Sequence, residues 1–185
     1  MRLRADAHNL GQEIIHKMQQ LVMMLDGCEE APADWGILNE IEVKYHLRGY
    51  SQKLILDRAE YVPEYLEPFV RNRPDQEQFW VIPLDMKLKP KGVYLVSIGL
   101  VNSTLVHSRE VFRVAVATAA TSILIAHNHP SGDPSPSSAD IRVTRSIREA
   151  GTILGIELTD HVIVGRKDAD PNGTGFYSFR EAGLI

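Results

Sequence analysis

The stretch from Ser122 to Asp140 reads SILIAHNHPSGDPSPSSAD, and the rest of the chain is placed relative to it. Ile123, Leu124, Ile125 and Ala126 form an apolar run too short for a helix, which predicts a central strand buried on both faces. His127 and His129 stand at its carboxyl end. Successive side chains of an extended strand point to opposite faces, so the two imidazoles look the same way and Asn128 looks the other. Pro130 removes a backbone donor and the SGDPSP run turns the chain, so the strand cannot continue. A helix follows, begun either by Ser135 as cap with Pro136 at the first helical position, or by Ser137 and Asp140 as a capping box. Asp140 then lies close enough to the loop base for its carboxylate to meet both histidines. Two imidazoles and a carboxylate with a vacant fourth position are the ligand set of a catalytic zinc site, because structural sites usually close all four positions with protein. Taken singly, each residue reads as a core histidine or a helix cap. Capping alone does not require the conjunction.

A metal-activated water needs a base to take its proton and pass it to the leaving group. From the residues alone the candidates are Glu110, Asp133, Glu149 and Asp160, and spacing does not choose among them. Glu110 reads equally well as an acid stabilised in the first turn of a helix. Asn128 and Gly132 are candidates for positioning substrate backbone. His161 reads as a core histidine sooner than as a group lying behind a ligand. His107 is left open, and His8, His16 and His46 receive no role.

The run HNHPSGDPSPSSAD resembles the JAMM (MPN+) signature, in which His-x-His is followed after seven residues by Ser and after two more by Asp; His127, His129, Ser137 and Asp140 match all four positions. The wider context, from HSREVF through DHVIVG to YSFREAGLI, is similar to the RadC-like branch of the JAB/MPN family. The resemblance covers roughly residues 76 to 185. It implies a deaminase-like JAB/MPN architecture, a zinc ion (Zn2+) held by His127, His129 and Asp140, and hydrolysis of a peptide or isopeptide bond. It also implies Glu110, in its SREVF context, as general base and Ser137 as a donor to the oxyanion. The helix-hairpin-helix region common ahead of such domains has no counterpart in residues 1–75, so inferences about DNA drawn from it do not transfer.

The chain has 185 residues with 44% hydrophobic content, enough for one well-buried domain with something left over. A net charge of -4 and 7% aromatic residues offer neither a basic field nor stacking platforms for nucleic acid. A single cysteine, Cys28, excludes an internal disulfide and fits a reducing cytoplasm. No apolar run approaches the roughly 18 residues of a membrane span, and MRLRADAHN lacks a secretory apolar core.

In chain order, residues 8–26 carry an amphipathic stripe that packs on its own domain or forms a homodimer contact, and 37–48 read as a strand. Residues 54–70 read as a helix bent or split by Pro63. Two strands, from Gln78 and from Gly92, form an antiparallel hairpin, and 103–107 a short strand. A helix over 108–120 capped by Ser108 precedes the central strand. A helix over 137–154 buries Val143, Ile147, Ala150 and Leu154 and stops at Gly155. A strand over 156–165 and the closing YSFREAGL complete the chain. The expected fold is a mixed α/β sandwich, a curved sheet flanked by helices with the metal loop at one edge. It is divided into an extension over 1–75 and a RadC-like JAB/MPN domain over 76–185. Two other functions compete with the hydrolase: an accessory to DNA repair or nucleic-acid processing, and a non-catalytic interaction module stabilised by metal, which a fourth protein ligand such as Asp133 or His161 would favour.

Overall fold

The computed structural model of the chain describes residues 55–70, 74–99 and 106–185. The elements expected over 8–26 and 37–48, and all but the end of the strand expected over 103–107, lie outside them. In order, the described elements are α1 (Tyr61–Val70), β1 (Gln78–Leu84), β2 (Tyr94–Ile98), α2 (Ser108–Ala117), β3 (Ser122–Asn128), α3 (Ser138–Leu154), β4 (Glu157–Val164) and β5 (Phe176–Ser178). The strands form one mixed sheet in the order β2-β1-β3-β4-β5. The pairs β1–β2, β1–β3 and β4–β5 are antiparallel and β3–β4 is parallel. The parallel pair needs a crossover, which α3 supplies. The expected mixed α/β sandwich is what forms.

Every residue of β1 and β3 is buried. That is why both read as continuous apolar runs rather than alternating ones. Alternation along them instead divides the core in two. Phe79, Val81, Ile123 and Ile125 pack with Val111, Phe112 and Ala115 of α2 and Val143 and Ile147 of α3. Trp80, Ile82, Leu124 and Ala126 pack on the other face with Leu56, Ala59, and Val62 and Leu66 of α1. The layers are therefore α1, sheet, and α2 with α3. Residues 56–66, ahead of the boundary expected at 75/76, contribute one whole side of this packing.

Local chemistry adjusts several expectations. The helix read over 54–70 begins only at Tyr61, which leaves Pro63 in the first turn, where a missing N–H costs no intrahelical bond. His107 rather than Ser108 occupies the cap of α2, without a side-chain capping bond. In α3 the capping box prevails: Ser137 Oγ accepts from Asp140 N–H, and the Asp140 carboxylate accepts from Ser137 N–H. The helix ends at Gly155 with φ 67°, the left-handed conformation glycine adopts at little cost. Its buried stripe is Asp140, Val143, Thr144, Ile147 and Gly151, whereas Leu154, expected inside, is half exposed. Among the described residues no helix is long and apolar enough to cross a membrane.

Two measurements check this packing. Leu66 is fully buried against the sheet, so Leu66→Ala should lower unfolding stability by about 2–5 kcal/mol in chemical denaturation. At Gly151 a helix-propensity gain of about 1 kcal/mol for alanine opposes sterics, since an added Cβ would lie 2.4 Å from the Ile156 carbonyl oxygen. Backbone cannot swing aside like a side chain, so Gly151→Ala should lower the melting temperature; a rise would show that the α3–β4 turn yields.

Candidate metal centre

The site lies at the carboxyl end of β3, the middle strand of the sheet, rather than at a lateral edge. His127 is the last residue but one of that strand and is fully buried. His129 follows it, held by its N–H on the Val164 carbonyl of β4. The loop between His129 and α3 is fixed from both sides. Gly132 N–H donates to the His129 carbonyl, and Arg166 N–H donates to the Gly132 carbonyl at 2.7 Å. A side chain at Gly165 would collide with that loop, because its Cβ would lie 2.2 Å from the Gly132 oxygen. Both backbone groups of Gly132 are engaged in the turn, which gives this residue a structural task in the loop.

His127 Nε2 lies 3.1 Å from His129 Nε2 and 3.3 Å from Asp140 Oδ1, and His129 Nε2 lies 3.7 Å from Asp140 Oδ2. Donors at about 2.0–2.1 Å from a tetrahedral zinc stand about 3.3 Å apart, so the three groups fit the edges of one coordination shell. His129 Nδ1 donates to the Asp133 carbonyl oxygen at 2.7 Å, which leaves the Nε2 lone pair facing the other donors. Asp140 is oriented by the same capping box that starts α3, since its Oδ2 accepts from Ser137 N–H at 2.7 Å. The same carboxylate thus caps the helix and faces the two imidazoles, so the two readings of Asp140 weighed in the sequence are compatible.

The fourth group is Glu77. Its carboxylate, the two imidazoles and Asp140 each offer an atom within 4.8 Å of the others, with Glu77 Oε1 3.9 Å from His127 Nε2. The antiparallel register explains this: Phe79 stands opposite His127, so two residues back along β1 the chain passes His129. Glu110, expected here, stands in the first turn of α2 with its carboxylate 2.9 Å from Arg113 and 3.6 Å from Arg109. It is an acid at a helix N-terminus with its own cations, and it is not brought into the cluster. Glu77 has no sequence-local link to HNH, so only knowledge of the strand pairing could have found it. Asn128, on the opposite face as expected, does not offer its amide to a substrate. Its Oδ1 accepts from Gln78 N–H at 2.9 Å and its Nδ2 donates to the Gln76 carbonyl at 3.0 Å, clamping the residues on either side of Glu77.

The other acids are occupied elsewhere. Asp133 Oδ1 accepts from Ser135 N–H, and this serine holds the Asp133 carboxyl below the usual range. Glu149 is exposed on α3. Asp160 is buried and accepts from Ser178 Oγ, His161 N–H and Arg180 N–H. Burial pushes its carboxyl up against the opposing effect of those donors. His161 is fully buried and stacked on Phe179 at 4.6 Å, as a core histidine would be, yet its Nε2 lies 2.9 Å from His127 Nδ1. Burial depresses both rings: His127 is lowered to about 3 and His161 well below its ordinary value.

The RadC-like JAB domain family matches residues 56–184. The chain is 46% identical over 105 residues to a UPF0758 protein of Caldanaerobacter subterraneus, covering 56% of this chain and 45% of that one. It is 42% identical over 143 residues to a UPF0758 protein of Pelodictyon phaeoclathratiforme, covering 76% and 59%. With one of Geobacillus thermodenitrificans it shares 39% over 150 residues, covering 79% and 61%. The chain spans about half the length of the curated relatives it matches. Strand pairing, a buried HNH at the end of β3 and a helix opened by the Ser137–Asp140 box are the features this match covers, and the chain belongs to the RadC-like JAB domain family.

Proposed function

We propose that the chain is a zinc-dependent hydrolase of the JAMM type, cleaving a peptide or isopeptide bond, with the metal held by His127, His129 and Asp140. The observation that carries it is the convergence of two imidazole nitrogens and the two Asp140 carboxylate oxygens at 3.1–3.7 Å with one further carboxylate, Glu77, beside them. When bound, zinc would supply a Lewis acid able to lower the pKa of water from 15.7 to about 7. Glu77 takes the role expected of Glu110: it accepts a proton from the attacking water and returns it to the leaving amine. The Asn128 clamp on Gln76 and Gln78 holds Glu77 in register for that transfer. Ser137 Oγ accepts from Asp140 N–H, so its hydroxyl hydrogen is left to donate, and it stabilises the negative charge developing on the substrate carbonyl.

A second reading has a specific observation behind it. Glu77 is near enough to the other donors to act as a fourth ligand, which would close the shell and make the ion structural. The two readings diverge in Glu77→Gln. If Glu77 is the base, this variant keeps wild-type zinc content and loses about 10²–10⁴ of its turnover on a panel of fluorogenic peptides and lysine isopeptides. If it is a ligand, zinc content falls. Asp140→Ala should lose zinc in either case, by metal analysis after dialysis, and normal content there would defeat the ligand assignment.

Burial of the two imidazoles also gives a pH signature. Their folded pKa values lie below the unfolded value of about 6.5, so below that pH the unfolded chain binds protons that the folded chain does not. Stability should be full above about pH 7 and fall on acidification, by up to about 1.4 kcal/mol per pH unit for each histidine. Denaturant midpoints in chelator should therefore drop between pH 7 and 5.5, above the range in which carboxylates titrate. A flat profile there would contradict the burial of neutral rings.

A further inference from the structure

Behind the candidate ligands lies a chain of polar contacts that the proposed reaction does not use. It runs from His127 Nδ1 to His161 Nε2 at 2.9 Å, from His161 Nδ1 to Thr144 Oγ at 2.6 Å, and from Thr144 Oγ to the Asp140 backbone oxygen at 2.5 Å. All four residues are buried. The chain begins on one proposed ligand and ends on another.

Its hydrogens can be counted. The Asp140 carbonyl only accepts, so the single hydroxyl hydrogen of Thr144 is committed to it. Thr144 Oγ must then accept from His161, which places a proton on His161 Nδ1. The ring is enclosed by Phe179, stacked at 4.6 Å, and by Phe79 at 5.7 Å. An apolar enclosure of this kind disfavours a second proton on the ring. His161 Nε2 is therefore a bare acceptor, and His127 must donate to it from Nδ1. This leaves His127 Nε2 as a lone pair directed at Asp140 and His129, the tautomer a metal needs. Were the Thr144 hydroxyl absent, His161 could protonate at Nε2 instead, His127 would become Nε2-protonated, and the ligand would be lost.

We propose that His161 and Thr144 are positioning residues that fix the tautomer of His127 through this directed hydrogen-bond chain and so hold it as a metal ligand. The proposal rests on the metal reading for its purpose but not for its geometry. Histidine ligands commonly donate their second N–H to a carboxylate, carbonyl or water. Here a neutral histidine takes that place and passes the constraint back to Asp140, coupling the strand that carries one ligand to the helix that carries another. The sequence pattern needed is a histidine on β4 level with β3 and a hydroxyl residue four positions after the helix-borne aspartate.

Two measurements test it. In protein labelled with 15N histidine and free of metal, long-range proton–nitrogen correlation spectra should show His161 neutral and protonated at Nδ1, and His127 protonated at Nδ1 in the zinc-loaded form. His161 protonated at Nε2 would overturn the proposal, whether or not zinc binds. In chelator competition, Thr144→Val, which keeps the shape and removes the hydroxyl, should weaken zinc binding about 10–100-fold, and Thr144→Ser should restore most of it. Wild-type affinity in a folded Thr144→Val would equally overturn it. If the wild-type protein takes up no zinc at all, the metal reading fails, and the spectrum of the metal-free protein still decides the hydrogen-bond chain.

Discussion

Everything at the site depends on β3 being paired on both sides while buried on both faces. A strand in that position must satisfy each backbone group through its neighbours, because no water reaches it and an unpaired buried group costs free energy comparable to a lost hydrogen bond. The pairing it adopts is antiparallel to β1 and parallel to β4, and that choice sets what stands beside each histidine. The first register brings the Glu77 segment past His129. The second places His161 level with Ile125, with its ring next to His127. Two groups from chain positions about 50 and 34 residues away are delivered to the HNH sequence by strand register, with the Asn128 side chain clamping the residues on either side of Glu77.

The helix that follows completes the arrangement by a different principle. Its first turn needs acceptors for N–H groups that have no intrahelical partner. Ser137 and Asp140 supply them reciprocally, and in doing so orient a carboxylate towards the histidines. One turn later Thr144 faces inward rather than outward, with its hydroxyl between the Asp140 carbonyl and His161. Gly151, two turns further, lets the helix end approach the Ile156 backbone just ahead of β4 closely. The buried stripe of α3 is consequently partly polar, and each of its polar members is bonded.

The burial of His127 and His161 has a cost that the fold offsets locally. Neutral imidazoles in an apolar layer are tolerable only if both ring nitrogens find partners, and among the described residues no buried side-chain nitrogen or oxygen lacks one. Farther out, the loop after β4 is held by Asp170. Its carboxylate accepts from Thr174 and from the N–H groups of Asn172, Thr174 and Gly175, and the Thr174 hydroxyl in particular lowers its pKa to about 2. Gly175 in turn carries Gly165 on its carbonyl, next to the residue that holds the metal loop through Gly132.

Local order was written in the sequence. The apolar run before His127, the Pro130 stop, the Ser137–Asp140 box and the Gly155 terminator each act through neighbours within a few residues, so spacing alone located the strand, the loop, the helix and the three proposed ligands. The two buried strands betrayed themselves by unbroken apolar runs. What could not be read was whatever depends on which strand lies beside which. Glu110 looked like the acid of the site because it sits in a matching local context, yet α2 directs it to Arg113, and strand register puts Glu77 there instead. Asn128 read as a candidate for positioning substrate and His161 as a core histidine sooner than a group behind a ligand, while Thr144 carried no signal of its own; tertiary pairing showed what each touches. Spacing along a chain fixes which way a side chain points; only the long-range hydrogen-bond register fixes what it meets.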